Sequence, residues 1–151
     1  MTATADNPYN QTIIPTLTLN GAAEAIDLYV KAFGAKELAK MNAPDGSGKI
    51  MWSMILLGNS KIFLMDTSEH CATPSTSSFY VYFDNVDAAF TQAKSAGLKE
   101  AMAPQDMFYG DRCGNVTDKF GISWSLAQHI RDVSEDEMCE AMKKMAAEKA
   151  A

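Results

Sequence analysis

Apolar positions along the chain alternate between two periods. From Ala22 to Phe33, the residues Ala22, Ala25, Ile26, Tyr29 and Phe33 recur at helical spacing, with Glu24, Asp27 and Lys31 outside the stripe. That spacing predicts an amphipathic helix. Gly34 follows it, where glycine adopts a left-handed cap cheaply. Before it, Ile13–Leu19 is rich in β-branched and aliphatic residues and reads as a strand, with Pro15 near its entry. After it, Leu38–Met41 reads as a short strand and Pro44–Gly48 as turn chemistry. The apolar runs Ile50–Leu57 and Lys61–Asp66 flank Gly58-Asn59, which is a hairpin signal.

The same order recurs downstream. Ser78–Phe83 is a strand, and Val86–Ala96 is a helix with Val86, Ala89, Phe90 and Ala93 on one face. Asn85 or Asp84 is available as its cap, and Gly97 ends it. Leu98–Ala103, Gly114–Asp118 and Ser123–His129 supply three more strands. Gly34 and Gly97 stand 63 positions apart, as do Lys36 and Lys99, Glu37 and Glu100, Gly58 and Gly121, and Ser60 and Ser123. A shared register of this kind points to one βαβββ unit used twice. The tail opens with Ser134-Glu135-Asp136-Glu137, which has the form of a capping box. Met138, Ala141, Met142 and Met145 then mark an apolar stripe on a terminal helix.

Composition narrows the classes of function. The 151 residues suit one compact domain. A formal net charge of −6 argues against a nucleic-acid surface. No apolar run is long enough to span a bilayer, and Met1–Asn10 lacks the pattern of a signal peptide. Cys71, Cys113 and Cys139 are odd in number and form no CxxC, so a cytoplasmic protein without a disulfide scaffold is expected. Ten methionines are the unusual entry, and their side chains suit an adaptable apolar surface.

Candidate chemistry is sparse. The only histidines are His70, in the Ser/Thr/Pro-rich stretch Thr67–Ser77, and His129, at the end of the last strand. A metal site needs several His or carboxylate ligands, and none is placed inside the strands. Cys113 beside Arg112 has no neighbouring histidine and reads as an inert thiol. Neither a nucleophile elbow nor a phosphate-binding loop is present. The densest polar-aromatic run is Met107–Arg112, where Arg112 can hold a carboxylate or phosphate and Phe108 and Tyr109 can line a pocket mouth. Alternation puts Trp52 and Met54 on one strand face, and Tyr80 and Tyr82 likewise on one.

The run Gly110-Asp111-Arg112, then Gly114, Asp118, Phe120-Gly121 and Trp124-Ser125-Leu126-Ala127, with Ile50–Met54 and Asp132–Ser134, resembles the vicinal oxygen chelate superfamily. That superfamily holds glyoxalase I, extradiol dioxygenases, and fosfomycin and bleomycin resistance proteins. The chain is most similar to its PhnB-like branch, also labelled 3-demethylubiquinone methyltransferase-like. The resemblance implies an α+β fold of two tandem βαβββ modules, with curved mixed sheets forming a cup, plus a C-terminal helix. The expected boundaries are a flexible N-terminus at 1–10, a first module at 11–66, a linker at 67–77, a second module at 78–130 and the C-terminal helix at 131–151. A homodimer is implied.

The resemblance also places metal ligands on the first and last strand of each module. Counted from the glycines, those positions fall near Ile14, Ile62, Ser78 and Ser125. None of them is a usual ligand, and Trp52 stands where the branch often carries a histidine. The expected activity is therefore binding, without metal or cofactor, of an unidentified, partly apolar small molecule. Trp52, Met54, Tyr80, Phe108 and Trp124 would line the site, and Arg112 or His129 would orient the polar end. The alternatives are a lyase- or isomerase-like enzyme, with proton transfer by Asp111, His129 or Tyr109 and any metal supplied with the substrate, and a structural or regulatory homodimer.

Overall fold

The computed structural model covers residues 1–151 and contains eight strands and three helices. The first module is β1 (Thr16–Leu19), α1 (Ala22–Phe33), β2 (Lys36–Asn42), β3 (Ile50–Leu57) and β4 (Ser60–Asp66). The second is β5 (Ser77–Tyr82), α2 (Val86–Ala96), β6 (Lys99–Asp106), β7 (Asp111–Thr117) and β8 (Ile122–His129), and α3 (Glu135–Ala150) closes the chain. Each module forms a four-stranded mixed sheet, in the orders β1-β4-β3-β2 and β5-β8-β7-β6. In each, the first and last strands pair in parallel and the other pairs are antiparallel.

Both inner helices follow the sequence reading to the residue, because glycine ends each one in the left-handed region, Gly34 at φ 70° and Gly97 at φ 113°. Their N-termini are held from the last strand of the module. Asp66 of β4 accepts from Gly21 N and Ala22 N at 2.9 and 3.0 Å. Gln128 of β8 accepts from Val86 N at 3.2 Å, beside the local cap from Asn85 to Ala88 N. Burial acts to push the Asp66 carboxyl up, and bonds from the amides of Ala22, Ile50 and Gly21 outweigh it and hold it below its usual range.

Some expected boundaries move. β1 starts at Thr16, after Pro15, and leaves Ile13 exposed. β6 runs on to Asp106, with an irregularity between Met102 and Gln105 that accommodates Pro104. β7 starts at Asp111, three residues earlier than expected, because the turn is Met107–Gly110: Gly110 N donates to Met107 O and Met107 N to Asp111 O. The stretch expected as a loop around Asp111 and Arg112 is therefore strand, and its side chains alternate between faces. At the other end, Tyr9 packs edge-on against Phe63, and Lys61 Nζ donates to Tyr9 O at 2.6 Å, so this part of the N-terminal segment lies against β4.

The 63-residue register holds through the helices to Lys36 and Lys99 but is 62 between β4 and β8. Asp66 and Gln128, 62 apart, each cap a helix. Ile62 with Trp124, and Leu64 with Leu126, share that spacing and are all buried. The short Met107–Gly110 turn against Ala43–Lys49 in the first module lowers the spacing, and the longer Asp118–Gly121 turn against Gly58-Asn59 restores part of it. Because a strand changes face at every residue, one position matters. Ile62, counted from the glycines as a ligand position, lies in the core, and Phe63 is the counterpart of Ser125.

One core joins the modules. α1 packs on α2. Trp124 is 1% exposed and sits 4.7–5.1 Å, ring centre to ring centre, from Phe33, Tyr29 and Phe79. Asp118 Oδ2 accepts from Tyr29 Oη at 2.8 Å and Trp124 Nε1 at 3.0 Å, and its Oδ1 accepts from the amides of Phe120 and Ile122. The Asp118–Trp124 motif thus serves the fold directly. No helix is long and apolar enough to cross a membrane.

Candidate functional site

Each sheet packs one face on its helix and leaves the other open. On the first sheet the open face carries Trp52, Met54, Phe63 and Met65, all partly buried, with Trp52 edge-on to Phe63 at 5.2 Å. On the second it carries Tyr80 and Tyr82 of β5, Asp111 and Cys113 of β7, and Ser125, Ala127 and His129 of β8.

Asp111 is the centre of the second face. Its side chain is only 7% exposed. Oδ2 accepts from Tyr80 Oη and Tyr82 Oη, both at 2.9 Å, and Oδ1 faces His129 Nδ1 at 3.0 Å. The tyrosines lie two strands away, across β8. Ala127, registered between Tyr82 and Cys113 and fully buried, is small enough for their rings to pass over it. Burial acts to push the Asp111 carboxyl up, but the bonds from His129, Tyr80 and Tyr82 outweigh it and hold it below its usual range. Burial first, then the hydrogen bonds with Tyr109 and Asp111, raise the Tyr80 phenol. Burial also pushes the Cys113 thiol up, as suits an unreactive cysteine. His129 is pushed above its usual value by Asp111 and then by Asp132, whose Oδ1 lies 2.9 Å from Nε2.

A cavity of about 760 Å³ opens beside this face, at the junction of the modules. Ile13, Phe33, Leu57, Ile62, Phe79, Val81, Phe83 and Trp124 give it an apolar lining, and Gln11, Asn59 and Ser60 contribute polar groups. Tyr80 and Tyr82, on edge strand β5, border the cavity, while their hydroxyls turn across β8 to Asp111 on the other face.

The expected site residues are divided by this arrangement. Asp111, His129 and Tyr109 come together, Tyr109 through a 3.5 Å contact between its hydroxyl and that of Tyr80. Tyr80 and Trp124 reach the cavity, Trp124 as a buried core residue whose ring forms part of the wall. Trp52 and Met54 lie on the other open face. Phe108 sits in the β6–β7 turn, edge-on to Tyr109 and beside Arg131 and the first turns of α3. Arg112 points to the helix side, where it forks onto Asp87 at 2.9 Å and also bonds Asp106 at 2.9 Å. With its donors committed to two carboxylates it is a strap between β7 and α2, not part of the cavity. Asp132 and Ala127 went unsuspected. Asp132 has no signal in a single sequence, whereas the pairing of a small residue with cross-strand tyrosines becomes legible once the register is known.

Residues 13–126 match the sequence model of the Glyoxalase/Bleomycin resistance protein/Dioxygenase superfamily. The chain belongs to this superfamily. An uncharacterized protein of Mycobacterium tuberculosis is 37% identical to it over 140 residues, 85% of this chain and 80% of that one. Among solved structures the chain is similar to a putative 3-demethylubiquinone-9 3-methyltransferase, PhnB protein, from Bacillus cereus (TM-score 0.64, 19% identity, 78% of this chain and 99% of that one). It is also similar to TnmS3, an antibiotic binding protein from Streptomyces sp. CB03234 (TM-score 0.61, 20% identity, 77% and 93%). At these identities the likeness is one of fold.

The glyoxalase superfamily implies a metal between the first and last strands of the modules, and this donor set does not fit one. The open-face positions there are Thr16, Phe63, Ser78 and Ser125. They offer hydroxyls and a phenyl ring, where a divalent cation needs imidazole or carboxylate. No group of three or more His, Cys, Asp or Glu is arranged to hold an ion.

Proposed function

We propose that this glyoxalase-superfamily protein binds a small, partly apolar organic molecule in the inter-module cavity, as a cytoplasmic homodimer. The cavity carries the reading: about 760 Å³, mostly apolar, with the polar side chains of Gln11, Asn59 and Ser60 at its wall. Those are the usual dimensions and chemistry of a small-molecule site. A structural neighbour described as an antibiotic binding protein supports binding as an activity this fold performs.

Dimerisation is supported by α3. This helix of 16 residues buries no side chain, and Met142 and Met145 are 56% and 38% exposed. A lone helix of that length is marginal in water. Its first half carries Glu135, Asp136, Glu137 and Glu140, and its second half Lys143, Lys144 and Lys149 against a single acid, Glu148. An antiparallel pair across a two-fold axis would bury the methionine stripe and set unlike charges opposite each other.

A fragment-library thermal-shift screen tests the binding reading. Stabilising fragments are expected for the wild type and lost in Ile13→Trp, which fills the cavity from an exposed lining position. Absence of any stabilising fragment, or full retention in that variant, would overturn it.

A further inference from the structure

Consecutive residues of one strand, Phe79 to Phe83, all border the cavity. Side chains of a strand alternate faces, so an unbroken run can meet one cavity only along the strand's edge. β5 is the outer strand of its sheet, with β8 on one side and no strand on the other. Phe83 N donates to Ala127 O of β8 at 2.8 Å. In a parallel ladder alternate residues turn to the same neighbour. Phe79 and Val81 therefore also face β8, and the N–H and C=O groups of Tyr80 and Tyr82 face outward. Their hydroxyls are committed to Asp111, so what these two residues offer the cavity for hydrogen bonding is main chain.

The other three outer strands are protected. Ser75 Oγ accepts from Thr18 N at 2.9 Å and Ser75 N donates to Thr18 O at 2.7 Å, which covers β1. β2 carries Lys36, Glu37 and Lys40, β6 carries Lys99, Glu100 and Pro104, and both have register irregularities. Charges, proline and bulges keep an edge from pairing. β5 reads Ser-Ser-Phe-Tyr-Val-Tyr in unbroken register and has none of them. No Asp, Glu, Lys, Arg or His lines the cavity, so an ion would lose its hydration there without a partner. Gln11 is committed to the main chain of Lys61, donating to its O at 3.0 Å and accepting from its N at 2.8 Å. Resting on the cavity reading above, we propose that the bound molecule is an uncharged, extended, amide-bearing chain, such as a short capped peptide. Its amides pair with Tyr80 and Tyr82 along the free edge of β5, and an apolar side group fills the cavity. Ile13, Pro15 and the Gly58–Ser60 hairpin bound the space beside that edge, which suits a small chain rather than the whole sheet of a second copy.

The test uses N-acetyl-leucyl-phenylalaninamide, its analogue methylated on the central amide nitrogen, and the uncapped zwitterion leucyl-phenylalanine. Trp124 fluorescence in a Trp52→Phe background reports cavity occupancy, and amide NMR of the full chain reports Tyr80 and Tyr82. The capped peptide is expected to move both signals saturably, with the two amide protons shifting downfield. Methylation is expected to weaken binding about fivefold, the weight of one net hydrogen bond, and the zwitterion to bind more than about tenfold weaker. Tyr82→Pro removes an outward N–H where an edge tolerates proline, and is expected to weaken the capped peptide about fivefold. Should that variant fail to fold, the methylation comparison decides. Equal affinity of the capped peptide and its methylated analogue, with Trp124 responding and the edge amides still, leaves the cavity reading intact and overturns this one. Edge amides that move while Trp124 stays silent overturn both. No response to any peptide overturns this one, and the fragment screen then decides the cavity reading alone. Edge-amide shifts that follow protein concentration without peptide give the edge to a second copy and overturn the proposal as well.

Discussion

The two modules share a skeleton and differ on their open faces. Against the helices they match: Ile62 and Trp124, then Leu64 and Leu126, all point into one core. Facing outward, the first sheet offers Trp52, Met54, Phe63 and Met65, and the second offers two tyrosines, a buried carboxylate and a histidine. Packing constrains the inner faces similarly, because close-packed interiors register even small changes in volume. The outer faces carry no such constraint. One has become a sticky apolar surface and the other a polar cluster anchored on Asp111. On the binding reading proposed above, the second sheet supplies the polar groups and the first supplies apolar area.

The sharpest break of that comparison is between the two tryptophans. Trp124→Ala removes a ring that fills the shared core, and truncations of this kind cost about 3–5 kcal/mol. Trp52→Ala trims a half-exposed ring on the open face, and a cost of about 1 kcal/mol is expected, in the range of ordinary substitutions. Urea unfolding measures both. Near-equal losses would mean that the first open face is as much a core as the inner one.

Next comes the anchor of the polar face. Asp111→Asn removes the charge that three donors address and turns an amide toward some of them, at an expected cost of about 1–3 kcal/mol, as for a buried group left unsatisfied. The matched change on the other module is Met65→Leu, a volume-conserving swap expected to cost less than about 1.5 kcal/mol. Thermal unfolding of the pair checks the ranking, and an Asp111→Asn protein as stable as the wild type would show that the cluster is decoration.

Much of this fold is written locally. Glycine ends α1 and α2, Ser134 and Glu137 form the capping box of α3, and the Gly58-Asn59 hairpin sits where two apolar runs meet. Each of those signals lies within a few residues of its effect. The site is less legible because its parts meet only through register. Asp111, placed by its sequence neighbours in a loop, becomes a strand residue whose alternation sends it to the tyrosines and sends Arg112 the other way. The Ile62-for-Phe63 slip has the same origin: a net difference of one residue in connection length inverts a face. Asp66 escaped notice as a helix cap because it acts from 44 residues away.

The smallest effect is the most specific to the polar face. His129 has its pKa raised in the folded protein by Asp111 and Asp132, so the folded state holds the proton more tightly than the unfolded chain does. Stability rises with pH only where the unfolded state binds more protons. Here the folded state binds more, so the contribution of His129 is fully present below the ordinary histidine value of about 6.5. It is lost as pH climbs through the raised folded value. Asp111 runs the opposite way: its lowered carboxyl contributes above the usual carboxylate range and is lost on acidification. Wild-type stability should therefore fall at both ends, with the alkaline fall beginning above about pH 6.5. In His129→Gln the alkaline component should disappear while the acid limb remains, since Tyr80 and Tyr82 still donate to Asp111. An unchanged alkaline limb in that variant would move the titrating group elsewhere and detach His129 from the anchor that distinguishes this sheet from its partner.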